Sequence, residues 1–210
     1  MSVLEIFLLT LGFTLILFYR LWVYAIKINN FSIVDVAWSA GFAIQAVLFC
    51  FLSSGTTSRK LLLLAIVALW SIRLSYFLGK RIAGHHPKED TRYAKLREDY
   101  GANYKKRFLK FFMLQALSIS FLTLPAIFVF NNINQNLGLL EYAGLISFLI
   151  SLTGEALADN QMKNFKNVPA NKGKVCNVGL WKYSRHPNYF FESCIWFNFY
   201  IFWLGTSGLW

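Results

Sequence analysis

The sequence has few charged residues, cysteines, prolines and glycines. Charged side chains make up 15% of its 210 residues, well below the roughly 25% of an average soluble domain. Its 13 glycines, 4 prolines and 3 cysteines exclude collagen-like, low-complexity and disulfide-scaffold proteins. A hydrophobic fraction of 56% excludes a disordered chain. A membrane protein is the class that remains.

Long apolar runs dominate what the sequence does contain. A helix needs about 20 predominantly apolar residues to span the hydrocarbon core. We therefore predict an all-α, polytopic transmembrane helical bundle of about six spans, at residues 3–26, 33–52, 61–78, 111–130, 137–158 and 187–203. The whole chain, 1–210, is interpreted as a single transmembrane domain with cytoplasmic loops at about 79–110 and 161–186.

The positive charges have an uneven distribution that predicts an orientation. Lys and Arg number 21 against 10 Asp and Glu, a net charge of +11. With six spans, 18 of the positive residues lie in connections on one side and 2 on the other. The positive-inside rule then predicts an integral membrane protein with its N-terminus outside and its basic loops in the cytoplasm. Nucleic-acid binding is disfavoured, because the positive residues flank spans and form no recognised module.

Charged residues inside apolar helices cost several kcal/mol on insertion scales, roughly 2.5 to 3.5 each, and therefore mark candidate sites. Asp35 either has a site role or completes a capping box with Ser32 at the start of the second span. Arg73 lies about 10 Å inside its helix end, counting from Lys80. It either faces an anionic ligand or forms a structural ion pair, with Asp35 or Glu155.

Two carboxylates, Glu155 and Asp159, are spaced four residues apart and share one face of the fifth span. Two ionised carboxylates this close repel each other, so they need cations, ligand hydroxyl groups or a shared proton. Salt bridges to Arg73 or to the basic loop are the structural alternative.

The segment 179–192 combines basic, amide, aromatic and acidic groups at one predicted helix start. Pro187 suits the first position of the sixth helix, whose free backbone N–H groups attract anions. Arg185 carries donors suited to phosphate, and Asn188 and Glu192 share a face with Trp196. An interfacial anchor on lipid headgroups is the alternative. The candidate residues here are Tyr183, Arg185, His186, Asn188, Tyr189 and Glu192.

A second polar segment holds two adjacent histidines followed by two acids. We interpret His85, His86, Glu89 and Asp90 as a solvated loop rather than a metal site, and we predict no metal. Asp90 is alternatively the cap of a short amphipathic helix that runs to Tyr100. Arg92, Tyr93 and Arg97 on that helix would then lie over a cofactor phosphate or on lipid headgroups.

Taken together, these motifs resemble the bacterial DUF1295 branch of the steroid 5α-reductase superfamily over essentially the whole chain. The resemblance is carried by Gly179-Leu180-Trp181, by Arg185-His186-Pro187-Asn188-Tyr189 with Glu192, by Glu155 to Asp159, by Asp35-Val36-Ala37-Trp38, by Leu69-Trp70 with Arg73, and by Glu89-Asp90-Thr91-Arg92-Tyr93.

The resemblance implies a reductase of a bacterial inner membrane that takes NADPH from the cytoplasmic side and reduces the C=C bond of a lipophilic enone. Glu155, Asp159, Asn188 and Glu192 would lie on its nicotinamide and ribose side, and Arg73 and Arg185 on its phosphates. Asp35 and Tyr76 are the matches to the pair that polarises the substrate carbonyl, with Trp70 as an alternative to Tyr76.

Two other functions share these motifs. The Arg-His-Pro-x-Tyr pattern is similar in isoprenylcysteine and phospholipid methyltransferases, which bind S-adenosylmethionine, and a non-catalytic membrane protein is a third possibility. Members of the superfamily continue past the sixth span with a further helix and a basic tail, so we expect a seventh helix to be missing here. The expected partners are membrane lipids and a lipophilic substrate, without nucleic acid. The sequence predicts no oligomeric state.

Overall fold

The computed structural model of the protein describes residues 1–85 and 88–206, apart from the side chain of His85. These residues form long helices joined by short connections, and the predicted all-α bundle is confirmed. The helices are α1 (Val3–Lys27), α2 (Ile33–Leu52), α3 (Thr57–His85), α4 (Thr91–Tyr100), α5 (Tyr104–Phe130), α6 (Leu139–Asn167) and α7 (Pro187–Thr206).

Among the residues that the structure describes, five helical stretches are long and apolar enough to cross a membrane, which makes the chain a polytopic integral membrane protein. They are Val3–Lys27, Ile33–Leu52, Thr57–Gly84, Thr91–Phe130 and Leu139–Asn167. The sixth predicted span forms a helix, α7, but is not among these five. Asn188, Glu192 and Asn198 lower its mean hydropathy.

Several helices are longer than the apolar runs that predicted them. α3 was expected to end near residue 78 but continues to His85, and α6 continues from residue 158 to Asn167. Hydropathy marks where a helix leaves the apolar region. The helix itself ends only where caps or breakers stop it, as Pro169 does after α6.

Residues Met1–Gln135 form one compact unit that contains α1 to α5. Its core is aromatic, and Phe31 stacks on Phe108 with the ring centroids 4.0 Å apart. Buried hydrogen bonds connect its helices at the side chain of Gln45, which donates to Thr14 at 2.9 Å and Ser120 at 2.8 Å and accepts from Thr123. Polar atoms away from water need such partners, so Gln45 holds α1, α2 and α5 in register.

The connection between α2 and α3 crosses closely over the end of α5. Gly55 donates its backbone N–H to Phe130 at 3.2 Å, and Thr56 donates to Asn132 at 3.0 Å. A Cβ atom added at Gly55 would lie 2.3 Å from the Phe130 carbonyl oxygen. Only glycine allows this approach, because the opposing atoms are backbone and cannot rotate away.

Residues Asn136–Trp210 form the second compact unit, described as far as Thr206, in which α6 packs along α7. Gly144 lies against the α7 backbone, with a Cβ position 3.2 Å from the Phe202 nitrogen. At one end, the buried Glu141 accepts hydrogen bonds from Thr206 at 2.8 Å and from the Gly138 backbone at 2.7 Å. The other end of this helix pair holds the predicted functional motif.

Candidate functional site

The segment that precedes α7 is docked on the C-terminal half of α6. Gly179 has a φ of +57°, a left-handed conformation that suits glycine, and it begins a 3₁₀ helix, Gly179–Lys182. The Leu180 backbone donates to the Gln161 side-chain oxygen at 2.9 Å, and the Trp181 indole donates to the Ala158 carbonyl at 2.8 Å. The Gly-Leu-Trp motif is therefore an attachment point that holds the α6–α7 connection next to Asp159.

An acid-and-amide cluster, defined here as Glu155, Asp159, Asn188 and Glu192, lies where α6 meets the first turns of α7. Glu155 and Asp159 are only 3% and 8% exposed. The Asn188 amide donates to Asp159 at 3.3 Å, and Glu192 accepts from the Trp196 indole at 3.3 Å. The structure thus joins two residues, Asp159 and Asn188, that are 29 positions apart in sequence.

The cluster retains hydrogen-bonding capacity for a ligand. The side-chain oxygen of Asn188 is buried and accepts no hydrogen bond from any residue that the structure describes. Buried polar atoms are nearly always paired, so an unfilled acceptor beside two buried carboxylates favours a ligand that donates N–H or O–H groups.

Three lysines contribute to the wall of a cavity that begins near this cluster. The cavity has a volume of about 550 Å³ and begins at Met162, one turn along α6 from Asp159. Lys166, Lys172 and Lys174 contribute to its wall together with apolar residues. Such a lining suits an anionic group attached to an apolar or aromatic one.

The other residues of the predicted loop are more exposed. α7 begins at Pro187, as its sequence position predicted. Tyr183 is 84% exposed, and the His186 and Tyr189 rings stack with their centroids 5.1 Å apart. Arg185 is exposed and is available to an anion at this surface.

In the first unit, Asp35 belongs to an ionic cluster with α4. Arg92 donates to Asp35 at 2.8 Å, and the buried Tyr93 donates its hydroxyl to the other carboxylate oxygen. Asp90 accepts from the Arg92 backbone at 3.0 Å and caps α4, as predicted. The Arg92 side chain also donates to Asp90 and holds the pKa of that carboxyl below its ordinary value.

The capping-box interpretation of Asp35 was wrong. Ser32 has helical backbone angles and makes no capping hydrogen bond to α2. Its hydroxyl instead accepts from the Asp90 backbone at 3.0 Å. The local sequence pattern fits a cap, but the Ser32 hydroxyl binds the backbone N–H of Asp90, 58 residues away, instead.

The side chain of Glu89 is largely buried, contrary to the solvated loop expected from the sequence. Its side chain is 8% exposed and accepts from the Phe31 backbone at 2.6 Å and from Arg97 at 2.9 Å. Arg97 also donates to the Asn29 carbonyl at 3.2 Å. Glu89 therefore fastens α4 to the α1–α2 connection, and no local sequence feature indicated this.

The described residues contain no group of three or more His, Cys, Asp or Glu side chains that could hold a metal ion. Glu89 and Asp90, which were considered with the adjacent histidines, bind arginines instead. His86 lies outside the described residues.

The structure does not bring Asp35 and Tyr76 together through a hydrogen bond. Tyr76 is 63% exposed on α3, and the Lys80 ammonium lies 4.7 Å from its ring centre. Trp70 is fully buried and packs edge-on against Phe42. Arg73 is partly buried on the same helix. The catalytic roles of Asp35 and Tyr76 stay predictions.

A double-mutant cycle tests whether Asp35 positions α4. We expect Asp35→Asn and Tyr93→Phe each to lower the free energy of unfolding by about 1 to 2 kcal/mol, with coupling of at least about 0.5 kcal/mol. The measurement is equilibrium unfolding in mixed detergent micelles. Asp35→Asn with Tyr76→Phe is the matched control, and strictly additive effects are expected there. Additivity for the Tyr93 pair would contradict the assignment.

Comparison with known proteins identifies a family and a relative. The family described as "Protein of unknown function (DUF1295)" matches residues 21–210. An uncharacterized protein of Schizosaccharomyces pombe is 28% identical, in a match that covers 87% of this chain and 60% of the yeast protein. The chain thus spans about 60% of the length of that relative. No solved structure matches.

Proposed function

We propose, from the premise that the chain belongs to the DUF1295 family, that it is a membrane-embedded, NADPH-dependent reductase of a lipophilic enone. The observation that carries the proposal is the acid-and-amide cluster, with two carboxylates less than a tenth exposed and an unfilled amide acceptor. Such groups are costly at membrane depth, and a ligand that donates hydrogen bonds offsets that cost.

The chemistry of the cluster fits the sugar and amide portion of NADPH. Glu155, Asp159 and the Asn188 oxygen accept hydrogen bonds, and the nicotinamide carboxamide and ribose hydroxyl groups donate them. Phosphate groups require cations. Arg185 and the lysines around the neighbouring cavity supply them in the same unit.

Each residue has a definite task in this proposal. Asp159 orients the Asn188 amide through the 3.3 Å hydrogen bond, so that the amide oxygen remains open to a ligand donor. Trp181 and Gln161 hold the loop against α6 and exclude water from the buried carboxylates. NADPH, when bound, supplies the hydride. The protein supplies binding, orientation and a dry site.

A second candidate function is S-adenosylmethionine-dependent methyl transfer to a lipid amine or an isoprenylcysteine-type thiolate. The buried carboxylates favour it, because they also attract a sulfonium or ammonium cation and accept from ribose hydroxyl groups. The lysines in the wall of the cavity support NADPH instead, since S-adenosylmethionine carries no phosphate.

The orientation and membrane are further parts of the proposal. The basic loops face the cytoplasm, where NADPH is found, and the N-terminus lies outside the inner membrane of a bacterium. The excess of lysine and arginine in these loops supports this orientation.

A ligand titration separates the two candidates. The full chain, purified in detergent, is titrated with NADPH and separately with S-adenosylmethionine, and the midpoint of thermal unfolding is followed. We expect NADPH to raise the midpoint in a saturable manner, since a ligand that binds only the folded state stabilises it. Stabilisation by S-adenosylmethionine but not by NADPH would replace the reductase proposal with the methyltransferase.

A further inference from the structure

The exposed face of α5 changes from cationic to apolar along a single stripe. Lys106 and Lys110 are exposed at its first turns. Leu114, Phe121 and Phe128 follow on the same side and are 63%, 60% and 52% exposed. Spacings of four and seven residues keep these side chains on one helix face. We call these five residues the α5 stripe.

The lysines of the α5 stripe have no carboxylate partner among the residues that the structure describes. α5 contains no acidic residue at all, and its first turn adds Lys105 and Arg107 to the positive charge. The sequence-adjacent acids, Glu98 and Asp99, are exposed on α4 and form no ion pair with these cations. Like charges four residues apart are destabilising, so Lys106 and Lys110 repel each other unless an external anion lies between them.

An indole places this cationic group at a membrane surface. Trp22 of α1 donates to the Lys105 carbonyl at 3.0 Å, and Trp side chains concentrate at the boundary between headgroups and hydrocarbon. From Lys110, the stripe runs 18 residues to Phe128, which is about 27 Å of helix and close to the thickness of the hydrocarbon core, about 30 Å. The lysines therefore lie at headgroup level and Leu114 lies beside the acyl chains.

We propose that the α5 stripe binds an anionic phospholipid, with the phosphate between Lys106 and Lys110 and an acyl chain along Leu114 and Phe121. The positive charge of the lysines matches the phosphate of a phospholipid, and the apolar surface beneath them matches its acyl chain. The site lies wholly in the first unit and does not depend on the proposed reductase activity.

Lipid titration of the full chain in detergent tests this proposal. Phosphatidylglycerol and phosphatidylcholine with identical acyl chains are added separately, and bound lipid is counted by native mass spectrometry. We expect tighter binding of phosphatidylglycerol. The preference should fall roughly fivefold for each lysine changed to Gln, the factor that corresponds to about 1 kcal/mol per residue near an anionic surface.

Matched variants identify the site. Lys106→Arg with Lys110→Arg should retain the preference, and so should Lys163→Gln with Lys182→Gln, which removes equal charge from exposed positions of the second unit. The single variant Lys110→Gln serves if the double Gln variant does not fold. Any one of three results would overturn the proposal. The Gln variants could keep the wild-type preference, the wild type could bind both lipids equally, or inorganic phosphate could displace the bound lipid.

Discussion

Asp159→Asn is expected to weaken NADPH binding by roughly tenfold to a hundredfold, the range for losing a hydrogen bond to a charged group. The carboxylate is 8% exposed and orients the Asn188 amide, so both its charge and its geometry contribute. Asn188→Ala should have a similar effect. The double variant should lose less than the sum of the two, because the residues act together. Equilibrium titration of NADPH fluorescence measures all three variants.

Another buried carboxylate on the same helix provides the control. Glu141 is 1% exposed and lies toward the opposite end of α6, where it binds Thr206. Glu141→Gln should lower stability yet leave the NADPH dissociation constant within about threefold of the wild type. If Glu141→Gln and Asp159→Asn weaken binding equally, the loss reflects unfolding. If Asp159→Asn binds like the wild type, the site lies elsewhere.

The largest loss of stability in the first unit is expected from Glu89→Ala, at about 3 kcal/mol. Removing the carboxylate leaves the Arg97 guanidinium without its acidic partner and the Phe31 backbone N–H without its acceptor. The Arg97 guanidinium also lies over the Phe31 ring, 5.1 Å from its centre. Equilibrium unfolding in mixed micelles, followed by tryptophan fluorescence, measures the effect.

Glu98→Ala is the matched control, since Glu98 is an exposed acid on α4. Surface substitutions of this kind change stability by less than about 0.5 kcal/mol. A loss at Glu89 that is no larger than the loss at Glu98 would show that the buried ion pair does not hold α4 in place. α4 would then be held by the aromatic packing of Tyr93 on α5.

The apolar runs predicted the helices well because hydrophobic length is a local property. The cap at Asp90 and the helix start at Pro187 were also local, and both were correct. The burial of the Glu89 side chain could not be predicted from the local sequence. Its partners, the Arg97 guanidinium and the Phe31 backbone N–H, meet it only when α1, α4 and α5 are packed. For this reason Glu89, a charged residue in a polar segment, was wrongly predicted to be solvated.

The candidate site shows the same division between local and long-range information. Spacing placed Glu155 and Asp159 on one face, and the structure adds what spacing could not, namely that Asp159 meets Asn188. The local sequence could not decide whether Asp35 is part of a helix cap or of a site, because it shows only the neighbours of Asp35 along the chain. The side chains that donate hydrogen bonds to it, Arg92 and Tyr93, are 57 and 58 positions away. Trp181 was predicted only as part of a motif. In the structure its indole N–H donates a hydrogen bond to the Ala158 carbonyl, and this donor explains why an indole is needed there.

The central claim, that the acid-and-amide cluster binds a nucleotide, is tested most directly by amide hydrogen–deuterium exchange of the full chain with and without NADPH. We expect slower exchange in residues 155–163 and 179–192 with NADPH present, and less slowing in Asp159→Asn at the same concentration. Unchanged exchange in both segments at a saturating concentration of NADPH would contradict it.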